Sequence, residues 1–256
     1  MSDRGLEEAI RAAGGITELA RRIGISQPSV SNWSQIPAAR VLSVEAATGV
    51  GRAILRPDLY GEPSDSVDDV DAARAQQYAL LAVLLAHPPK AQLLKRIAKL
   101  RGDVTPLGQA HTALAQAADG ANAETIEREF FDLFIGVGRG ELMPYGSYYL
   151  TGFLNERPLA RLRDDLRALG VERVDTQHDP EDHAAILCEI MVGLIRGPFR
   201  VSVEQQRQFF DRHLAPWIGR FFRDVEVAAA ANFYRQVGAL GRIFVEVETK
   251  AFAAPA

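Results

Sequence analysis

Six residues past the middle of the chain, His178-Asp179-Pro180-Glu181-Asp182-His183, set three carboxylates and two imidazoles around one proline. Such a cluster can ligate a metal, shuttle protons, or begin a helix. A metal site needs at least three converging donors, and zinc favours Cys and His at short, fixed spacings. His178 and His183 need not face one point, and His87, His111 and His213 stand alone, so no metal is expected. Acid/base work by Asp182 and His183 is chemically open. The chain has no nucleophile elbow, phosphate-binding glycine loop or dinucleotide fingerprint, so no catalysis and no cofactor are expected. Cys188, the single cysteine, falls on an apolar helical face and reads as buried filler. As a helix start the six residues are well formed, with Asp179 as N-cap, Pro180 at the first position and two acids in the first turn, Asp182 reaching back to the cap.

Aromatic residues supply a second chemistry. Phe130, Leu133 and Phe134 recur at helical spacing, and the turn Pro144-Tyr145-Gly146-Ser147 runs into Tyr148 and Tyr149. Large amphipathic side chains beside acids (Glu129, Asp132, Glu141 and Asp182) suit an apolar groove with an acidic lip. Half of the same stripe can equally be core. Tyr145 and Tyr148, beside Gly146, are expected nearer the surface because turns lie there.

A third pattern spans Ile16–Trp33. Ala20 is small where two helices would cross, and four residues later Gly24 is free to take positive φ. Leu19, Ile23, Ile25, Val30 and Trp33 fall at inward positions, while Ser26 can cap a second helix with Pro28 in its first turn. This is helix-turn-helix spacing.

The elements that must carry these residues read almost entirely as helix. Apolar residues recur at three- and four-residue steps over 71–86, 123–136, 157–170, 181–197 and 202–214, and in a tail helix from about Val225 to Lys250. Gly170 reads as a helix C-cap. No strand pattern persists, so the expected class is all-α. Between Tyr60 and Asp71 the composition turns to Gly, Pro, Ser and Asp, which reads as a linker. The domains expected are 1–61, a linker over 62–71, and 72–256. The first part holds seven arginines against six acids, a balance of +1, and the rest 22 basic against 27 acidic residues, −5. Neither has the strongly basic balance of a robust nucleic-acid binder. No apolar run approaches the roughly 18 residues of a membrane span, the N-terminus lacks an apolar signal block, and one cysteine fits a reducing compartment. A cytoplasmic protein is expected.

The "LARRIGISQPSVSNW" stretch resembles the Cro-like repressor family over about residues 6–61. That resemblance implies a recognition helix with Gln27, Ser29, Ser31 and Asn32 toward base edges or phosphates, and Arg21, Arg22 and Arg40 toward phosphates. The order Phe130-x-x-Leu133-Phe134-x-Gly136, then Pro144-Tyr145-Gly146-Ser147, then Pro180-x-Asp182-His183 resembles the TorD/DmsD/NarJ-like redox-enzyme maturation chaperones over about 72–245. The residue before the proline is Asp179 where that family has Glu. The resemblance implies an all-helical, non-catalytic chaperone. Its partner would be the N-terminal signal or apo form of a molybdenum-cofactor oxidoreductase, of the formate dehydrogenase or dimethyl sulfoxide/trimethylamine oxide reductase type. It also implies a binding site drawn from Phe130, Leu133, Phe134, Tyr145, Gly146, Ser147, Tyr148, Tyr149, Asp182 and His183. DNA is the expected partner of the first domain, and homodimerisation is open. The rival reading is a helix-turn-helix transcription regulator with a helical sensor domain.

Overall fold

The computed structural model describes residues 4–60, 65–171, 179–196 and 200–254. Among these residues all regular structure is helical apart from one β-bridge between Tyr145 and His183, so the all-α expectation holds. The chain forms two compact units that divide between Val70 and Asp71.

The first unit contains α1 (Arg4–Ala13), α2 (Ile16–Arg22), α3 (Gln27–Ser31), a 3-10 turn (Ala38–Arg40), α4 (Val41–Thr48), α5 (Arg52–Leu55) and α6 (Pro57–Tyr60). Its small core gathers Leu6, Ala9, Leu19, Ala20, Val30, Ile36, Val41, Val44 and Leu55, with Ile23, Ile25 and Trp33 half-buried at the edge. Gly24 takes φ 71°, which turns the chain between α2 and α3. Ser26 caps α3 by accepting from the Ser29 amide at 3.4 Å, with Pro28 in the first turn. These are the features that the spacing demands, and each sits where it was expected.

The second unit begins within α7 (Asp65–Ala86) and continues through α8 (Ala91–Ile97), α9 (Pro106–Ala118), α10 (Ala123–Phe130), α11 (Gly146–Thr151), α12 (Arg157–Ala168), α13 (Ala184–Arg196), α14 (Val203–His213), α15 (Ile218–Val227) and α16 (Phe233–Ala253). Part of the stretch read as a linker over 62–71 is thus helical, from Asp65 onward. Short polar residues such as Ser and Asp start helices as readily as they fill linkers. Gly170, at φ 70°, follows α12 as its C-terminal turn residue.

One core fills this unit, with α16 packed along α15 and α9. A Cβ on Gly238 would lie 2.6 Å from the Glu226 amide nitrogen, and one on Gly241 would strike the Phe222 ring. Glycine at these two positions allows the close approach. A buried polar knot crosses the core beside them. Arg74 on α7 donates to both carboxylate oxygens of Glu248 on α16 (2.8 and 3.0 Å) and to Gln206 on α14 (3.0 Å).

The tail expected as one helix from Val225 is two, broken at residues 228–232. That break contains Ala228–Ala231, among the strongest helix formers. It persists because two distant carboxylates take its amides. Glu141 accepts from Ala229 (2.7 Å) and Ala230 (3.1 Å). Glu129 accepts from Asn232 (2.8 Å), Phe233 (3.1 Å) and Tyr234 (2.6 Å), and so caps α16. Tertiary contacts override propensity here.

Candidate functional site

The Asp179–His183 segment is not the first turn of its own helix. It is a turn, and α13 starts only at Ala184. His183 occupies the cap position, its Nδ1 accepting from the Ala185 amide at 3.1 Å. The capping box expected at Asp179 and Asp182 is therefore absent, because both acids serve other elements. Asp179 accepts from the Tyr145 hydroxyl at 2.9 Å. Asp182 holds a segment 35 residues earlier, its Oδ2 accepting from the Ser147 amide at 2.7 Å and its carbonyl from the Gly146 amide at 2.9 Å. The Ala184 amide donates to the Pro144 carbonyl at 2.8 Å, completing the bridge. His178 lies outside the described residues.

Tyr145, Gly146, Ser147, Asp182 and His183 are thus brought together at one junction. The Tyr145 and His183 rings meet edge-on, 5.0 Å apart. Burial and, to a lesser degree, the contact with Asp179 push the Tyr145 hydroxyl pKa upward. Burial lowers the His183 pKa against the opposing pull of Asp179 and Asp182, which favours the neutral ring that its capping role requires. Asp182 is only 3% exposed, and its second oxygen, like the Ser147 hydroxyl, has no hydrogen-bond partner among the described residues. Below this junction lies a small pocket of about 90 Å³ bordered by Gly146, Leu162, Asp182, Trp217 and the basic residues Arg161, Arg212 and His213.

The aromatic set divides in two. Phe130 and Leu133 are core residues, so the expectation that they line an open groove is corrected. Phe134 is half-buried and links them to the rest, its ring 5.2 Å from Phe130 and 6.3 Å from Phe221. The widened helical turn Phe131–Ile135 that ends α10 turns these residues inward. Tyr148 and Tyr149, on α11, are half-buried beside a larger cleft of about 460 Å³. Its walls add Leu142, Met143, Gly152 and the charged residues Arg139, Glu141, Arg220 and Asp224. Arg139 lies over the Tyr148 ring at 5.4 Å and donates to its hydroxyl at 2.9 Å. Arg220 lies 4.9 Å from the Tyr149 ring centre, and the Tyr149 hydroxyl donates to Asp224 at 2.9 Å.

Of the four acids expected at the lip, Glu129 and Glu141 are committed to backbone amides and Asp182 is interior. Asp132 and Glu141 stand exposed, and of the two only Asp132 has no partner for its carboxylate among the described residues. The sequence reading missed Met143, Arg139, Arg220 and Asp224, and it missed the apolar surface of Leu150, Phe153 and Leu154, where Phe153 is 69% exposed. The run Tyr148-Tyr149-Leu150-Thr151-Gly152-Phe153-Leu154 held the signal. It has more large apolar residues in sequence than one helix face can bury.

In the first unit Gln27, Ser29, Ser31 and Asn32 are all exposed on or beside α3. Gln27 donates to Ser31 at 2.7 Å, and the Ser26 and Ser29 hydroxyls are 2.7 Å apart. Arg21 and Arg22 are not free. Glu18 receives Arg21 at 2.6 and 2.9 Å and Arg22 at 3.1 Å. Arg40 is exposed in the 3-10 turn. Among the described residues no three His, Cys, Asp or Glu side chains converge, and no helix is long and apolar enough to cross a membrane. Cys188 is buried, its thiol pushed up to about 12 by that burial.

A helix-turn-helix unit followed by an all-helical unit with an aromatic cleft is the class that the geometry defines. Comparison with known proteins agrees for both parts. Residues 101–223 match the family model described as nitrate reductase delta subunit, and residues 6–64 the one described as bacterial toxin YdaS. Residues 101–223 are thus similar to the TorD/NarJ-like proteins and residues 6–64 to a Cro-like helix-turn-helix. The chain is 27% identical over 144 residues to the chaperone protein TorD of Vibrio cholerae, covering 52% of this chain and 66% of that protein, just under two thirds of its length. It is 27% identical over 167 residues to TorD of Actinobacillus pleuropneumoniae, covering 65% and 75%. A crystal structure from Archaeoglobus fulgidus, described as a candidate redox enzyme maturation protein, aligns at 21% identity and a TM-score of 0.46 over 68% of this chain and 93% of that one.

Proposed function

We propose that the second unit is a cytoplasmic maturation chaperone that binds the N-terminal signal or apo form of a molybdenum-cofactor oxidoreductase, of the formate dehydrogenase or dimethyl sulfoxide/trimethylamine oxide reductase type. It is a binding protein and not a catalyst, as its relatives named chaperones are. The observation that carries this reading is the open cleft of about 460 Å³ beside Tyr148 and Tyr149, continued along the chain by the exposed Leu150, Phe153 and Leu154. Half-buried tyrosines give contact area at small entropic cost, and apolar surface left in water marks a docking face. A client segment with basic residues followed by an apolar helix matches that surface, with Asp132 exposed for the basic end.

The test is fluorescence anisotropy with a labelled peptide that carries an arginine pair followed by a Leu- and Ala-rich stretch. The wild-type chain is expected to bind it, and Tyr148→Ala to bind roughly tenfold more weakly, as removal of an aromatic anchor does. Equal affinity in the variant refutes the site, and no binding by the wild type refutes the peptide reading.

A second role is supported by one observation in the first unit. Its α2-turn-α3 pair presents Gln27, Ser29, Ser31 and Asn32 outward, the arrangement by which a recognition helix reads the major groove. DNA binding by this unit would add an operator-linked function to the chaperone.

A further inference from the structure

We infer that Asp182 is a positioning residue, the remote cap of α11, which fixes where Tyr148 and Tyr149 stand and does not itself touch a client. The inference about client affinity rests on the chaperone reading above; the anchoring does not. Helix α11 has only six residues and would not hold its shape alone. Its N-cap residue is Tyr145, which offers no side-chain acceptor, so its first amides need partners from elsewhere. Residue 182 supplies both, its carbonyl to Gly146 and its carboxylate to Ser147. Trp217 closes the other side, since a Cβ on Gly146 would meet its Nε1 at 3.0 Å. Tyr148 and Tyr149 follow directly, with the Tyr149 ring 5.5 Å from Trp217. Any shift at the first turn of α11 therefore carries both rings across the cleft.

Direct ion pairing with a client arginine is the competing role for this carboxylate. The geometry argues against it. Asp182 is interior, and the small pocket that reaches it is bordered by Arg161 and Arg212, so an entering guanidinium would meet like charge. Arg212 and His213 are held there by Asp165, at 2.8 and 2.7 Å. What the site asks of residue 182 is one acceptor for the Ser147 amide. Its second oxygen makes no hydrogen bond among the described residues.

Asparagine keeps the acceptor and removes the charge, which separates the two roles. In the full-length chain, hydrogen–deuterium exchange over residues 144–152 and binding of the arginine-pair peptide are measured for wild type, Asp182→Asn and Asp182→Ala. Asp182→Asn is expected to match wild type in both. Asp182→Ala is expected to speed exchange in this segment and to weaken peptide binding roughly tenfold, the loss that one hydrogen bond to a charged group represents. Wild-type exchange in Asp182→Ala overturns the anchoring. Tenfold weaker binding by Asp182→Asn with unchanged exchange overturns it in favour of an ion pair, and this comparison decides even if the alanine variant does not fold. Binding by none of the three, with the expected exchange pattern, upholds the anchor and retires the chaperone reading.

Discussion

The two units use their acids in opposite ways. In the first, Glu18 lies on the surface and clasps two arginines of its own helix. In the second, the buried Glu129 and Asp182 reach across the fold to backbone amides at the starts of helices. An exposed ion pair within one helix is screened, readily exchanged for another partner and worth little to stability. A buried carboxylate on amide donors is a strong, charge-assisted contact whose loss leaves several groups unsatisfied. The first kind of contact suits a surface that must exchange partners. The second kind fixes geometry.

Glu129 offers the largest effect by which that contrast can be broken. It is buried and accepts three amides at the start of α16. Hydrogen bonds to charged groups contribute about 1.5–3 kcal/mol each and are not additive, so Glu129→Ala is expected to cost about 3–5 kcal/mol. For a unit of this size that corresponds to a fall in Tm of roughly 10 °C, measured by calorimetry. A Tm within about 2 °C of wild type would remove the distinction between the two kinds of acid.

These remote caps also explain which parts of the molecule were legible in the sequence. The helix-turn-helix was readable because its determinants are local. Gly24 turns the chain, Ser26 caps α3 two residues later in the same segment, and Leu19 and Val30 follow a helical period. The split of the tail was not readable, because the four alanines at 228–231 favour helix and the groups that stop them lie some 90 to 100 residues earlier. The same reason hid the real start of α13. Asp179-Pro180-Glu181-Asp182 has every local mark of a helix cap, yet the segment pairs with Pro144–Ser147 and its acids are taken there. Burial separates the aromatic set in a similar way. Phe130 and Tyr149 share helical spacing with their neighbours, and only packing around Tyr234 and Trp217 sends one inward and leaves the other half open.

A smaller effect is expected from pH. Burial lowers the pKa of His183, with Asp179 and Asp182 opposing, and burial likewise lowers that of His213, where Asp165 opposes and Arg212 adds to the fall. Both histidines take up protons more readily in the unfolded chain, whose value is about 6.5. Their stabilising contribution is therefore complete above about pH 7 and is lost as pH falls through about 6.5 toward the lowered folded values. Urea unfolding should show stability dropping over pH 7 to 5, by at most about 1.4 kcal/mol per pH unit for each histidine. His183→Asn keeps an acceptor for the Ala185 amide and should flatten part of the slope. A slope unchanged by this variant would mean that the capped junction does not sense pH.

The smallest effect concerns the exposed clasp, and it sharpens the contrast from the other side. Hydrogen bonds from Arg21, and then from Arg22, hold the Glu18 carboxyl down at about 2, so at neutral pH it is always charged and always competes for both guanidinium groups. DNA phosphates would have to displace it. Glu18→Gln removes the competing charge, leaves both arginines in place, and touches neither Gln27 nor Asn32. Thermal stability should barely change, since surface pairs contribute little. Affinity for duplex DNA in a low-salt gel shift should rise, and two freed cations should steepen the dependence of log K on log salt by about 1 to 2. A shallower or identical salt slope would show that these arginines make no phosphate contact. Absence of binding by both proteins at low salt would remove DNA as the partner of the first unit, leaving its polar α3 face to a protein.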